Sequence, residues 1–450
     1  MDTIVAVATS LGRSAIGVIR LSGPQSLEIL RCLIHDELFT PEPNHVFLKQ
    51  IVRESGEPLD SALVTYFQKP RSFTGEEMIE LSCHGSPVIL RRVLDLTQKL
   101  GARLAEPGEF TLRACKNGKM NLSQAEAIRD LIDARTDAAA AQAARQLKGE
   151  LAVALQPAKE MLIKIIVRLE SALEFVEDDL PRIHALQLEK ELAEVVGIVE
   201  RLALTFTTGR RLREGLKVAI IGRPNVGKSS LFNKLVGMNR AIVTEIAGTT
   251  RDSISESISL GGIPISMTDT AGIRVANDTI EEIGIERTHQ AMADADLLVV
   301  VIDGSSSLLN EDLKIIGQAV PSRHVLAINK CDLVRNPDLK DRLDPSAKVV
   351  HLSALTGEGL DELIAAILAP FGDVDSEAVG LLITDSRHYD LLRRTQASLE
   401  KSVELFSRSA SEEIVLVGLH SALQFLGEIT GETTTDDILA EIFSTFCIGK

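Results

Sequence analysis

The first residues able to do chemistry are a lysine and a hydroxyl at fixed spacing from two glycines. Gly222-Arg-Pro-Asn-Val-Gly227-Lys228-Ser229 follows the apolar run KVAIIG and precedes the helix-like SLFNKLVG. Glycines there permit turns whose amides face phosphate oxygens, Lys228 supplies a cation for the β and γ phosphates, and the Ser229 hydroxyl can ligate Mg2+. Asn225, Val226 and Ser230 belong to the same loop and the turn that follows it. A second apolar run ends in Asp269-Thr270-Ala271-Gly272, with a carboxylate placed for the metal's surroundings and a glycine amide for the γ-phosphate. Between the two lies Thr244-Glu245-Ile246-Ala247-Gly248-Thr249-Thr250, which offers a switch hydroxyl to the magnesium. Asn329-Lys330-Cys331-Asp332 follows the run VLAIN. An aspartate there accepts from both guanine N1–H and the exocyclic amine, a donor pair that adenine lacks. Ser353-Ala354-Leu355 after KVVHL completes a base pocket. Five segments in this order predict a GTP site with magnesium, and argue against a redox or kinase P-loop.

The residue after DTAG is Ile273, where Ras-like proteins carry a water-positioning glutamine. An isoleucine side chain has no hydrogen-bonding group, so help with hydrolysis must come from elsewhere. Glu281 and Glu282 are candidates for orienting water and equally for the acidic first turn of a helix, IEEIGIERTHQAM. The side-chain carbonyl of Asn225 can help hold a monovalent cation against the phosphates.

The elements that must carry these residues fall into blocks. Up to about residue 120, apolar runs (IVAVAT, GVIRL, HVFLKQIV, SALVTYF, MIELS) mix with helical periodicity at SLEILRCLI and VILRRVLDLTQKLG, predicting a small α+β domain over 1–120. Alanine-, leucine- and glutamine-rich sequence then predicts helices over 121–213. From 214 to 373 strand runs alternate with helical stretches, the pattern of a parallel sheet with crossover helices. Helical sequence returns over 374–450, so two helical blocks flank an inserted α/β module.

Bulk composition narrows the class. The 450 residues are 45% apolar and 25% charged, which fits a soluble multidomain protein. A net charge of −16 argues against a generic polycationic nucleic-acid binder. Residues 1–120 hold 14 basic and 14 acidic side chains, so the acidic excess belongs to the rest and any basic patch is local. Five cysteines without CxxC spacing predict reduced thiols rather than disulfides or zinc. The start has no basic stretch or cleavage site and no segment is long and apolar enough to span a membrane, so a cytoplasmic location is expected. Cys83 and His84 adjoin, but two ligands make a weak metal site.

Over essentially its full length the chain resembles the MnmE (TrmE) family of tRNA-modification GTPases. The resemblance rests on DTIVAVAT with GVIRLSG, RSFTGEEMIELSCHG, EPGEFTLRACKNGKMNLSQAEAI, GRPNVGKSSLFN, TEIAGTTRD, DTAGIR and the closing FCIGK. It implies a multidomain α/β and α fold: an N-terminal α+β folate-binding domain that dimerises, a discontinuous helical domain, and an inserted Ras-like P-loop G domain whose sheet is largely parallel. It further implies a homodimer working with a flavoprotein partner, MnmG (GidA), in a hetero-oligomer. That complex adds a carboxymethylaminomethyl or aminomethyl group to C5 of the wobble uridine of tRNA, with a reduced folate (5-formyl- or methylene-tetrahydrofolate) as one-carbon source. GTP hydrolysis there accompanies potassium-dependent pairing of G domains. Carried over by motif, potassium falls to Asn225, Thr244, Ile246 and Thr249, magnesium to Ser229 and Thr250, water orientation to Glu281, and folate contacts to Arg20, Glu80 and Lys119.

Cys447 near the end suggests a prenylation box, yet Gly449 and Lys450 fit that pattern poorly and the preceding TTTDDILAEIF is acidic. A small buried residue and a reactive thiol remain, and the resemblance favours a catalytic thiol near the folate or tRNA site. The rival class is an Era-like ribosome-assembly or RNA-chaperone GTPase, which would carry a basic RNA-binding appendage in place of this acidic C-terminal block.

Overall fold

The computed structural model describes residues 2–10, 12–174, 182–238, 255–269, 291–334, 336, 343–344, 347–369, 380–408, 411–433, 439, 442–446 and 449. It divides into two compact units: Met1–Arg129 with Leu147–Ala154 and Leu423–Lys450, and Asp130–Gln146 with Leu155–Ala422.

The first unit opens with β1 (Ile4–Val7), β2 (Ile16–Ser22), α1 (Ser26–Leu33), β3 (Val46–Val52), β4 (Pro58–Phe67), β5 (Met78–His84), α2 (Pro87–Lys99), β6 (Arg103–Leu104), α3 (Glu109–Lys116) and α4 (Leu122–Asp133), the last of which passes into the second unit after Arg129. Among the described residues its strands form a sheet of order β3-β4-β5-β2-β1-β6, antiparallel except for β1 beside β6. Strand period two sorts the side chains. Ile19, Leu21, Ile79, Leu81 and Val64 face a core closed by Leu30 of α1 and Leu90 and Val93 of α2. Burying each such side chain contributes roughly 1.5–3 kcal/mol. Arg20 and Glu80 project from the other face, directly opposite each other in the β2–β5 register. On that face Phe110 of α3 is fully buried against Ile4 and Ala6. Farther along it, Ile16, Val46, Leu48 and Leu63 are 59%, 61%, 71% and 47% exposed.

Helical elements follow: α5 (Asp137–Leu147), α6 (Glu150–Glu174), α7 (Arg182–Leu204) and α8 (Phe206–Glu214). The α/β part contains β7 (Leu216–Ile221), α9 (Lys228–Met238), β8 (Ser255–Leu260), β9 (Ile263–Asp269), β10 (Leu297–Asp303), α10 (Asn310–Ala319), β11 (His324–Asn329), β12 (Val349–His351) and α11 (Leu360–Leu368). The chain then returns to helix in α12 (Ser386–Ser407) and α13 (Glu412–Thr430).

The second sheet has the order β12-β11-β10-β7-β9-β8, parallel except for β8, which pairs antiparallel to β9 at the edge. Near-continuous apolar strands such as LLVVVID are what a sheet covered on both faces requires. Val218 and Ile220 of β7 point to a core with Leu231 and Phe232 of α9 and Leu363 of α11, while Ala219 and Ile221 point to the opposite core with Ala319.

Helical and α/β parts of the second unit are joined at the chain's entry and exit. Arg213 ends α8 just before β7, and its guanidinium reaches Asp130 at 2.8 Å and Asp385 at 2.6 Å. Asp385 is also the N-cap of α12, accepting from the Arg387 amide at 2.7 Å. Gln142 and Gln146 of α5 donate to the carbonyls of Gly380 and Leu382 on the returning chain. Among the described residues no helix is long and apolar enough to cross a membrane.

Candidate functional site

The turn from β7 into α9 is shaped by residues that tolerate no bulk. Gly222 has φ of 150°, and a Cβ on it would stand 2.4 Å from the Val301 carbonyl oxygen. Gly227 has φ of 99°, and its Cβ would collide with the Asn329 amide at 2.2 Å. Such close approach is what glycine provides. Asn225 is left-handed too, with φ of 63°, and its side chain is exposed. Lys228, the first residue of α9, is buried and donates Nζ to the carbonyls of Gly222 and Arg223, both at 2.7 Å. The ammonium therefore lies across the loop it must serve, and a phosphate oxygen would outcompete these two neutral carbonyls. Ser229 and Ser230 are exposed at the start of the helix, where amides and dipole favour an anion.

Asn329 ends β11 at 2% exposure and ties two loops together. Its Nδ2 donates to the Val226 carbonyl at 2.8 Å, and its Oδ1 accepts from the Ala354 amide at 2.8 Å. Thus the phosphate loop and the Ser353-Ala354 loop are positioned by one side chain. Ser353 Oγ donates to Asp332 Oδ1 at 2.6 Å, and the Thr356 amide donates to Ser353 Oγ at 3.2 Å. One oxygen of Asp332 is fixed by this bond and the carboxylate is held in a defined orientation. Lys330 has φ of 68° and sends Nζ to Asp303 Oδ2 at 2.6 Å. Burial disfavours the charge on Asp303, but Lys330 and Ser305 outweigh it and hold the carboxyl below its ordinary range. All these loops leave the C-terminal ends of the strands, where open parallel sheets bind ligands.

Two residues of this site went unseen in the sequence. Asp303 closes the run LLVVVID, and an acid terminating an apolar strand was the available signal. Asp312 of α10 is buried and pairs with Arg223 of the phosphate loop at 2.6 Å, while its other oxygen accepts from the Leu309 amide at 3.0 Å. No local pattern announces that partnership.

Asp269 ends β9 opposite Ile220 in the β7 register, so its backbone lies beside the phosphate loop. Thr244, Glu245, Ile246, Ala247, Gly248, Thr249, Thr250, Thr270, Ala271, Gly272, Ile273, Glu281 and Glu282 lie outside the described residues, as does Cys447.

In the first unit Arg20 gives two hydrogen bonds to Glu80 Oε1, from Nε at 2.9 Å and Nη2 at 2.8 Å, and a third from Nη1 to the Gly449 carbonyl at 3.3 Å. Its guanidinium stands 5.6 Å from the Phe73 ring centroid and 5.8 Å from that of Phe110. Both bonds from Arg20 go to one oxygen, so Glu80 Oε2 keeps its acceptor capacity. Lys119 follows α3 and donates to the Pro70 carbonyl at 3.1 Å, so it holds the loop before β5 and not the Arg20–Glu80 pair. The same loop is braced by Arg113, which meets Asp2, Glu76 and Glu109 at 2.6, 3.2 and 2.9 Å. Phe443 and Phe446 pack with Leu122, and a Cβ on Gly108 would touch both phenylalanines. Residues on either side of Cys447 are thereby seated in the unit that carries Arg20.

Cys83 is buried, which pushes its thiol up to about 12, and its neighbour His84 gives Nδ1 to the carboxylate of Asp60 at 2.6 Å. Among the described residues no group of three or more such side chains could hold a metal ion.

Comparison with known proteins follows this geometry. Residues 122–447 match the family described as the MnmE helical domain, and residues 3–119 match the one described as the GTP-binding protein TrmE N-terminus. The tRNA modification GTPase MnmE of Aquifex aeolicus is 44% identical over 450 residues, covering 100% of both chains. Its namesake from Koribacter versatilis is 46% identical over 455 residues, covering 100% of this chain and 99% of that one. Among solved structures, the G domain of the T. maritima FeoB iron transporter is 28% identical, covering 34% of this chain and 97% of that one, with a TM-score of 0.26. On the two family matches and these full-length relatives, the chain belongs to the MnmE (TrmE) family.

Proposed function

We propose that this chain hydrolyses GTP to drive a folate-dependent modification at C5 of the tRNA wobble uridine, as a homodimer with the flavoprotein MnmG. The coarse activity, a GTPase acting in tRNA modification, follows from membership of the family. The observation that carries the nucleotide part is Asn329, which binds phosphate loop and base loop into one site.

The chain's own residues would act as follows. Lys228 leaves the Gly222 and Arg223 carbonyls for the β and γ phosphates, and the loop amides of 225–229 cradle them. Asp332, oriented by Ser353, reads the guanine edge, with Ala354 beside it. The exposed hydroxyl of Ser229 fits a magnesium ligand and would be joined by Thr250; magnesium would neutralise phosphate charge. The exposed, left-handed Asn225 fits a potassium ligand alongside Thr244, Ile246 and Thr249. Glu281 orients water in place of the glutamine that Ile273 displaces. Asp269, Thr270, Ala271 and Gly272 report the γ-phosphate, and Thr244 to Thr250 close over it.

Arg20 and Glu80 fit a reduced folate: the unused Glu80 oxygen can accept from an aminopyrimidine edge beside the half-buried Phe73 ring, with Lys119 meeting the acidic tail. Cys447 acts as a thiol near that site. An exposed apolar patch of Ile16, Val46, Leu48 and Leu63 on the same sheet face favours a second copy of the chain as its cover. The α+β domain spans 1–120, the helical domain 121–213 and 374–450, and the G domain 214–373. Among the described residues Cys32, Cys83, Cys115 and Cys331 form no disulfide, in keeping with a cytoplasmic protein.

The test is GTP hydrolysis by the purified chain with magnesium in potassium or in sodium, together with titration by 5-formyl-tetrahydrofolate. Faster turnover in potassium and saturable folate binding lost in Glu80→Gln are expected. Equal rates in both salts would remove the potassium assignment, and absence of folate binding would remove the one-carbon assignment.

A further inference from the structure

Where the β3–β4 hairpin meets α2, the first unit carries a groove of about 750 Å3 that the function above does not use. It lies on the helix-covered side of the sheet. Leu90 and Val93 of α2 pack with Leu81 and Cys83, whereas Glu80 points to the opposite face with Arg20. The groove is thus separate from the residues assigned to folate.

Its chemistry is specific. Arg53, at the hairpin, and Arg92, on α2, both line it, and neither guanidinium has a protein partner among the described residues. Unpaired arginines sharing one concavity repel each other, and that repulsion is relieved by an anion between them. On α2, Arg92, Asp95, Leu96 and Lys99 follow at the i, i+3, i+4, i+7 spacing that puts them on one helix face. Lys99 crosses to Glu54 of the hairpin at 2.8 Å, so that pair is neutralised and closes one end. Leu59 and Leu96 give an apolar floor, and Asp95 contributes a carboxylate without a protein donor.

We infer that this groove binds a single-stranded ribonucleotide segment of the tRNA substrate. Arg53 and Arg92 take its phosphates, Leu59 and Leu96 take a base face, and Asp95 accepts from a ribose 2′-hydroxyl. A phosphate-only ligand would gain nothing from Asp95, and DNA has no hydroxyl to give it; RNA uses both charges. Chain electrostatics favour this location as well. The protein carries −16 overall, but residues 1–120 balance 14 basic against 14 acidic side chains, so RNA meets least repulsion here.

The inference rests on tRNA being the substrate, and the experiment separates the two. Binding of a labelled unmodified tRNA transcript to the full chain is measured by anisotropy across a salt series, for wild type and for the Arg53→Gln/Arg92→Gln double variant. Loss of two phosphate contacts lowers the slope of log affinity against log salt by roughly 1.4–1.8. The expected loss of affinity at moderate salt is about tenfold or more, with GTP hydrolysis and Tm unchanged because both arginines are exposed. Asp95→Asn narrows the preference for an RNA oligonucleotide over DNA of the same sequence. Equal affinity and slope in wild type and double variant overturn the groove alone. No tRNA binding by wild type overturns the substrate and the groove together. Equal RNA and DNA binding by wild type overturns the role of Asp95.

Discussion

Replacing Asn329 tests the central claim about the nucleotide site. In the Asn329→Ala variant the Val226 carbonyl and the Ala354 amide both lose their partner, and Asn329 is 2% exposed, so water does not readily replace it. Each buried group left unsatisfied costs about 1–3 kcal/mol, giving about 2–6 kcal/mol for the pair. The share that falls on the phosphate loop weakens nucleotide binding by roughly 5- to 150-fold. Asn329→Asp divides the effect. Its carboxylate still accepts from the Ala354 amide but turns a second acceptor toward the Val226 carbonyl, so the phosphate loop is disturbed while the base loop keeps its bond. Stopped-flow binding of a fluescent-labelled GDP and thermal melts measure both quantities. Affinity within twofold of wild type in Asn329→Ala, with Tm unchanged, would falsify the view that this residue joins the two loops.

Asp332→Asn removes the acceptor pair offered to guanine and should weaken GTP on the order of a hundredfold or more, with xanthosine triphosphate gaining in its place; competition binding with GTP, ATP and XTP checks it, and an unchanged GTP preference would refute the assignment. Acid should loosen the second unit through Asp385. Burial disfavours its charge, but His388, Arg213 and the Arg387 amide prevail and bring the carboxyl from 3.8 to about 2. A depressed carboxyl stabilises the fold above its unfolded pKa and loses that contribution as pH falls toward 2, a term on the order of 2 kcal/mol. Melts from pH 5 to pH 2 should therefore show the gap between wild type and Asp385→Asn shrinking below pH 4; a constant gap sinks the argument. Alkylation at pH 8 followed by mass spectrometry should label exposed Cys32 well before Cys83 and Cys115, whose thiols burial pushes up to about 12. Equal labelling of all three would contradict that burial.

The nucleotide loops were legible because phosphate binding constrains adjacent residues: Gly222, Gly227 and Lys228 must follow a strand and open a helix, and all of that is local. Asn329, Asp332 and Ser353 were legible as motifs, but the bonds that join them span the chain and were not. Asp312 and Arg113 carry no local signal for the same reason, since an ion pair such as Arg223–Asp312 leaves no periodic trace. Edge strand β8, SESISL, is half polar because one side of it needs no deep core, and its apolar signal rests on Ile258 and Leu260. Helix α3 carries little periodic signal because it is only 8 residues long and starts after a left-handed Gly108. Arg20 and Glu80 gained a role from the resemblance alone; the strand register that pairs them is a tertiary fact.

The contacts of Arg213 carry an architectural implication. One guanidinium grips the residue that caps the helix after the α/β module and sits itself on the last turn before that module, so both severed ends of the helical body meet at a single point. Because the two ends lie together, the helical body closes on itself without the module, which could be traded for another of different size if the replacement's termini lay equally close. Exchange of whole modules between unrelated proteins requires that geometry, and Arg213 holds it together with Gln142 and Gln146.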